Sequence, residues 1–207
     1  MKLYDATLPL HEGMATFPGD PPFQIKPFFQ RSRGDPFDLA LMSVGTHLGT
    51  HVDPPAHYLD GGSTVDEIPL EILVGPGVVL DMRGRSYIDR LALEEAPLGD
   101  HVRVLFKTDN GPHLIKSTFY EDFVHLTEDG ARYLVERNVC LVGNDYLSIE
   151  RYKNPGAPVH HILLSAGALV VEGVNLLEIP PGPYEFFCLP IKIKGADGAP
   201  ARFLLRG

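Results

Sequence analysis

Tryptophan is missing from this chain, cysteine occurs twice, and basic residues are outnumbered, 18 Lys and Arg against 27 Asp and Glu among 207 residues. Each shortage removes a class of protein. The formal net charge of −9, with no cluster of Lys or Arg, lacks the electrostatic footprint of a nucleic-acid binder or of a protein held to an anionic membrane. No run approaches the roughly 20 apolar residues of a membrane span, and the opening MKLYDATLPLHEGM has no apolar core behind a basic start. These features predict a cytoplasmic protein. Cys140 and Cys188 sit in the apolar runs NVCLVGND and EFFCLPIKI without C-x-x-C spacing, so buried thiols are expected rather than a disulfide.

What remains is an ordinary globular composition, 44% hydrophobic and 22% charged with a mean hydropathy of −0.02. The length suits one core, and residues 1–207 are read as a single domain. Its 19 prolines and 21 glycines are spread along the chain, as expected for many short elements joined by tight turns. LYDATLPL, FQIKPFF, VGPGVVLDM, RVLFKT and NVCLVGND read as strands, and FDLALMSVGTH alternates like a half-buried one. HHILLSAGALVVEGV, EFFCLPIKI and ARFLLR are read as further apolar strand-like stretches. YIDRLALEE suits a short helix. TEDGARYLVERN is the clearest helix, with Thr127 as its cap, Glu128 and Asp129 at its positive end, and Ala131, Leu134 and Val135 on its apolar face. The fold class expected is a strand-rich α/β or α+β domain with few helices.

Residues 45–57, GTHLGTHVDPPAH, hold three of the nine histidines and an aspartate. His47, His51 and Asp53 are spaced by four and two, which places them on one face of an extended strand, and the two histidines would also be neighbours on a helix. Gly45, Gly49, Val52 and the Pro54–Pro55 pair favour a strand ending in a loop. Imidazoles and a carboxylate so placed suit a borderline divalent cation such as zinc, and an aspartate can bridge two ions. The zinc-protease motif H-E-x-x-H and the hydrolase elbow G-x-S-x-G are both absent, as are the phosphate-binding G-x-G-x-x-G and Walker patterns. GTHLGTH and GADGAP are therefore read as turns. His11, His101, His113 and His125 are read as surface or structural residues.

GTHLGTHVDPPAH resembles the H-x-G-T-H-x-D-x-P-x-H signature of the cyclase family of metal-dependent hydrolases, which includes the bacterial kynurenine formamidases. The likeness continues in FPGDPP, in LTEDGARYLVERNVCLVGNDYLS and in EGVNLLEIPPGPYEFFCLPIKIKGADGAPARFLL. The resemblance implies a single domain of the swivelling β/β/α type. It implies His47, His51 and Asp53 as metal ligands, His57 as the proton-transfer residue, and a further ligand pair of histidine and glutamate twelve residues apart, matched by His160 and Glu172. His161, adjacent to His160, would point the opposite way if both lie on a strand, and is expected to be structural. A glutamate amid ALVVEGV needs a positive neighbour if buried, or faces water on an edge strand.

The resemblance further implies two zinc ions, with manganese or another divalent metal as an alternative, a homodimer or larger homo-oligomer, and hydrolysis of N-formyl-L-kynurenine to L-kynurenine and formate. Phe17 stands in FPGD near the place where those enzymes carry a tryptophan against the substrate, and its ring can stack on an aryl group. A cyclase or hydrolase acting on another cyclic amide, and a metal-binding protein without turnover, are the alternative readings.

Overall fold

A computed structural model describes all residues 1–207. In chain order its elements are β1 (Leu3–Asp5), β2 (Gln24–Phe29), β3 (Leu39–Ser43), β4 (His51–Asp53), α1 (Leu70–Leu73), β5 (Val74–Asp81), β6 (Tyr87–Ile88) and α2 (Arg90–Glu95). There follow β7 (Arg103–Lys107), α3 (Gly111–Leu114), β8 (His125–Leu126), α4 (Glu128–Glu136), β9 (Leu141–Asn144), α5 (Pro158–Ser165), β10 (Leu169–Glu172), β11 (Gly182–Pro190) and β12 (Ala199–Arg206). The strand-rich α/β architecture with few helices is as expected.

The main sheet runs β1-β12-β11-β5-β7-β9-β10-β4, and β4 also pairs with β12. That second pairing closes seven of the strands into a barrel and leaves β1 attached outside the ring. β5, β7, β9 and β10 are mutually parallel. Such strands are buried on both faces, which is why their sequences are nearly continuous apolar runs. Alternate side chains then serve two cores. Val79, Leu105, Leu141 and Val171 join Phe186 and Phe203 in one, while Val78, Leu80, Val104, Phe106, Val142 and Val170 join Leu93 of α2, Leu134 of α4 and Leu163 of α5 in the other.

The helices begin where their caps predict. Thr127 accepts a hydrogen bond from the Gly130 amide at the start of α4, and Asp89 accepts one from the Ala92 amide at the start of α2. Tyr87 and Ile88, expected in the same helix, form β6 instead and pair with β8.

Three expectations are corrected. HHILLS is not strand but the body of α5, because Pro158 fits the first helical turn and Val159, Leu163 and Leu164 recur at helical spacing to form the buried face. β3 is not half-buried: it pairs only with β2, and every residue of Leu39–Ser43 is exposed. Of the two free thiols, Cys188 is buried but Cys140 is only half-buried.

Candidate metal centre

Closure of the barrel builds the site. β4 is antiparallel to β10, with His51 opposite Glu172 and Asp53 opposite Val170. His51 and Asp53, two residues apart, share a face, while Val52 between them enters the barrel core. Glu172 therefore stands beside His51, with Oε2 3.6 Å from His51 Nε2. It is 4% exposed, so the water-facing reading of this glutamate does not hold.

His160 arrives from the first turns of α5 rather than from a strand. Its Nε2 lies 3.2 Å from Glu172 Oε1 and 3.9 Å from Asp53 Oδ2. His161 is exposed, so the two histidines do diverge, through helical rotation and not strand alternation. His47 sits in the turn before β4 rather than on it, and Nδ1 is 2.7 Å from Asp53 Oδ1. His57 ends a 3-10 turn, Pro55–His57, set by the two prolines. Its ring stacks on His47.

Asp53 is the hub. It is 1% exposed. Oδ1 faces His47 and, at 3.4 Å, His51 Nε2, whereas Oδ2 faces His160 and accepts no hydrogen bond. Potential donor atoms fall into two overlapping sets, His47–Asp53–His57 and His51–Asp53–Glu172, that share this carboxylate. An orphaned oxygen on a buried carboxylate is costly unless something positive meets it, and a divalent cation fits that requirement.

The imidazoles are oriented to suit. His51 Nδ1 lies 3.0 Å from the Gly49 carbonyl, which can only accept, so Nδ1 carries the proton and Nε2 presents its lone pair toward Asp53 and Glu172. His160 Nδ1 faces the Glu150 carboxylate at 3.5 Å without a hydrogen bond between them. Metal-binding histidines are commonly held this way, by a carbonyl or carboxylate on the far nitrogen.

Electrostatics point in the same direction. Burial pulls the His160 imidazole down, but Glu150, Glu172 and Asp53 more than reverse this, taking it to about 10. For His47 burial also opposes charge, and Asp53 with Asp197 raises it to about 9. Desolvation would lift Asp53, yet His51 and His47 hold it well below the ordinary carboxylate range. The buried acids thus demand positive charge from whatever is near them. His57 is different, since burial leaves it below the usual imidazole value.

A cavity of about 210 Å³ opens above these groups, walled by Phe17, Asp20, Tyr58, Leu147 and Ser148. Phe17 is fixed edge-to-face by Phe119 and Tyr152, with ring centroids 5.4 and 5.9 Å away. Burial pushes the Tyr58 phenol up to about 12, so it remains a hydrogen-bond donor. Its ring stacks on His160 at 4.7 Å.

Several of these residues carry no signal in the sequence. Glu150 accepts from the Val159 amide and Asn154 Nδ2 and secures the start of α5, but no spacing marks it. Asp197 places Oδ2 3.2 Å from His47 Nε2. It belongs to GADGAP, which is more than a turn: a Cβ on Gly198 would come within 2.4 Å of His47 Cε1.

The chain is similar to several known proteins. The Cyclase family model, described as "Putative cyclase", matches residues 4–151. A kynurenine formamidase of Bacillus cereus is 30% identical over 98% of this chain and 96% of its own length. That of Salinibacter ruber is 34% identical over 100% and 98%. A solved "potential metal-dependent hydrolase with cyclase activity" superposes with a TM-score of 0.86 at 36% identity, covering 99% of this chain and 96% of that one. Isatin hydrolase A of Ralstonia solanacearum, at 24% identity, shares the fold with a TM-score of 0.83 over 99% and 91%. With a family match across most of its length, full-length relatives and a buried donor set suited to a divalent metal, the chain belongs to the cyclase family of metal-dependent hydrolases.

Proposed function

We propose that this protein is a metal-dependent amide hydrolase of the arylformamidase type, cleaving N-formyl-L-kynurenine with water to L-kynurenine and formate. The observation that carries the reading is Asp53, buried with one oxygen toward His47 and His51 and the other toward His160. The kynurenine formamidase relatives support the choice of an aryl formamide.

His47, His51, Asp53, His160 and Glu172 would hold the metal, zinc in this reading with two ions; manganese or another divalent ion would suit the same nitrogen and oxygen donors. When bound, such an ion supplies a Lewis acid for the amide carbonyl and lowers the pKa of coordinated water from about 15.7 to roughly 7. His57 takes the proton from the attacking water and returns it to the leaving aryl nitrogen, a role matched to an imidazole that is neutral near pH 7. Phe17 packs on the aryl ring, and Tyr58, which lines the same cavity, offers its hydroxyl.

The whole of residues 1–207 acts as one catalytic unit in this reading. The β2–β3 hairpin supports a homodimer or larger homo-oligomer: it lies off the barrel and exposes Leu39 and Leu41 on one face and Ile25 and Met42 on the other, apolar side chains suited to packing on a second copy. A cytoplasmic setting is supported by two unpaired thiols. No helix is long and apolar enough to cross a membrane.

Formate release by metal-loaded protein from N-formyl-L-kynurenine and simple aryl formamides tests the reading, with a cyclic amide as the contrasting substrate. Formate release is expected. Ring opening of the cyclic amide without formate release would instead favour a different cyclase-family substrate. Metal binding with no turnover of either would leave a metal-binding protein.

A further inference from the structure

The mouth of the cavity carries a charge that the hydrolytic chemistry does not use. Asp20 closes the turn Phe17–Asp20, its amide donating to the Phe17 carbonyl at 3.0 Å. One turn thus presents an aromatic ring and a carboxylate to the same cavity. Phe17 packs edge-to-face on Phe119 and Tyr152, which sets where an aryl group can lie relative to Asp20. The Asp20 carboxyl makes no hydrogen bond or ion pair with the rest of the protein; partial burial raises its pKa, and the charges of His47 and His51 act against that rise. No lysine or arginine lines the cavity.

Resting on the amide-hydrolase reading, we infer that Asp20 is a specificity residue, making the site select aryl amides that carry an ammonium group and disfavour those that carry only a carboxylate. A ligand ammonium placed beside Phe17 meets an unpaired carboxylate of opposite charge. A ligand carboxylate in the same place meets Asp20 with no arginine or lysine to receive it, and like charges brought together at a binding surface are strongly disfavoured. For an amino-acid substrate such as N-formylkynurenine, the ammonium rather than the carboxylate is the group the protein itself grips. The analogue lacking the α-carboxylate is therefore the better substrate.

The test uses aryl formamides of one ring whose side chains end in an ammonium, an alcohol, a carboxylate or the complete amino acid. kcat/KM is measured for the metal-loaded wild type and Asp20→Asn at low and at physiological salt, with metal content determined for both. Calorimetry runs alongside, comparing phenylalkylammonium with the matching phenylalkanol. At a partly exposed mouth the charge preference amounts to roughly five- to ten-fold.

In the wild type the ammonium compound exceeds the alcohol by about that factor and the carboxylate is poorest. In Asp20→Asn the ammonium-to-alcohol ratio falls to about one, and in the wild type it shrinks as salt rises. An unchanged ratio in Asp20→Asn overturns the inference, and so does loss of bound metal from that variant, which would make Asp20 part of the metal centre. If no formamide is cleaved yet calorimetry shows the ammonium preference and its loss in Asp20→Asn, the hydrolase reading fails and the selectivity stands. Cleavage without charge preference has the opposite meaning.

Discussion

The His57 ring lies flat against the His47 ring, with centroids 3.8 Å apart and planes inclined by 25°. A proton on His57 is disfavoured chiefly by burial, which outweighs the attraction of Asp53, and further by any charge on His47, so a proton acceptor stands next to the donor set. His57→Ala and His57→Asn are expected to retain metal and fold while kcat falls by about 10² to 10⁴. Elemental analysis and steady-state kinetics check this. Loss of one metal equivalent would make His57 a ligand, and unchanged kcat would require another proton carrier.

Asp53→Asn replaces the shared carboxylate with a neutral amide and is expected to remove most bound metal. His160→Ala is expected to do the same, since its Nε2 faces Glu172 and Asp53 from α5. His161→Ala, altering an exposed position on the same helix, is expected to keep full metal content. Metal-to-protein ratios after chelator-free purification distinguish the three.

Gly198 touches the His47 ring so closely that a methyl group there would overlap it. Gly198→Ala is expected to turn His47 away from Asp53 and lower kcat/KM by at least about ten-fold, the cost of loosening a residue that orients a ligand. Circular dichroism should show an intact fold. Wild-type kinetics in this variant would mean that His47 can move without consequence.

Away from the centre, Asp145 receives hydrogen bonds from the Thr108 amide and hydroxyl at 2.8 and 2.6 Å, yet burial carries its carboxyl up to about 6. The folded state therefore holds this proton more tightly than the unfolded chain, whose aspartates titrate near 3.9. Between about pH 4 and 6 the native protein binds more protons, so stability falls as pH rises through that window and levels off above it. Asp145→Asn should flatten the fall, and the gap between wild type and variant should shift in the variant's favour by roughly 2 to 3 kcal/mol between pH 4 and 7. Urea melts at a series of pH values check this, and parallel curves for the two proteins would contradict it.

The pattern of what the sequence discloses follows the range of the forces involved. His51 and Asp53 are legible because a two-residue spacing on a strand is local geometry, and Thr127 because a helix cap is local too. The strands serving two cores were legible as apolar runs. HHILLS misleads because a short buried apolar segment has the same composition in a helix as in a strand, and Pro158 is the only local sign of which it becomes. Glu150, Asp197 and Gly198 were invisible since each acquires its role from a partner elsewhere in the sequence, as when residue 197 meets residue 47. The β2–β3 hairpin shows the converse: alternation in β3 predicts a buried face, yet every residue of that strand is exposed because it pairs only with β2.

The pairing of β4 with both β10 and β12 has a consequence for the order of events in the cell. β4 carries His51 and Asp53, whereas its two neighbours come from the last fifth or so of the chain. A ribosome-bound chain that has emerged only through β9 contains the histidine signature but not its seat. The local set His47–Asp53–His57 can form before then, but His160 and Glu172 join Asp53 only when the ring closes, so the complete donor set is a property of the finished fold rather than of the signature alone.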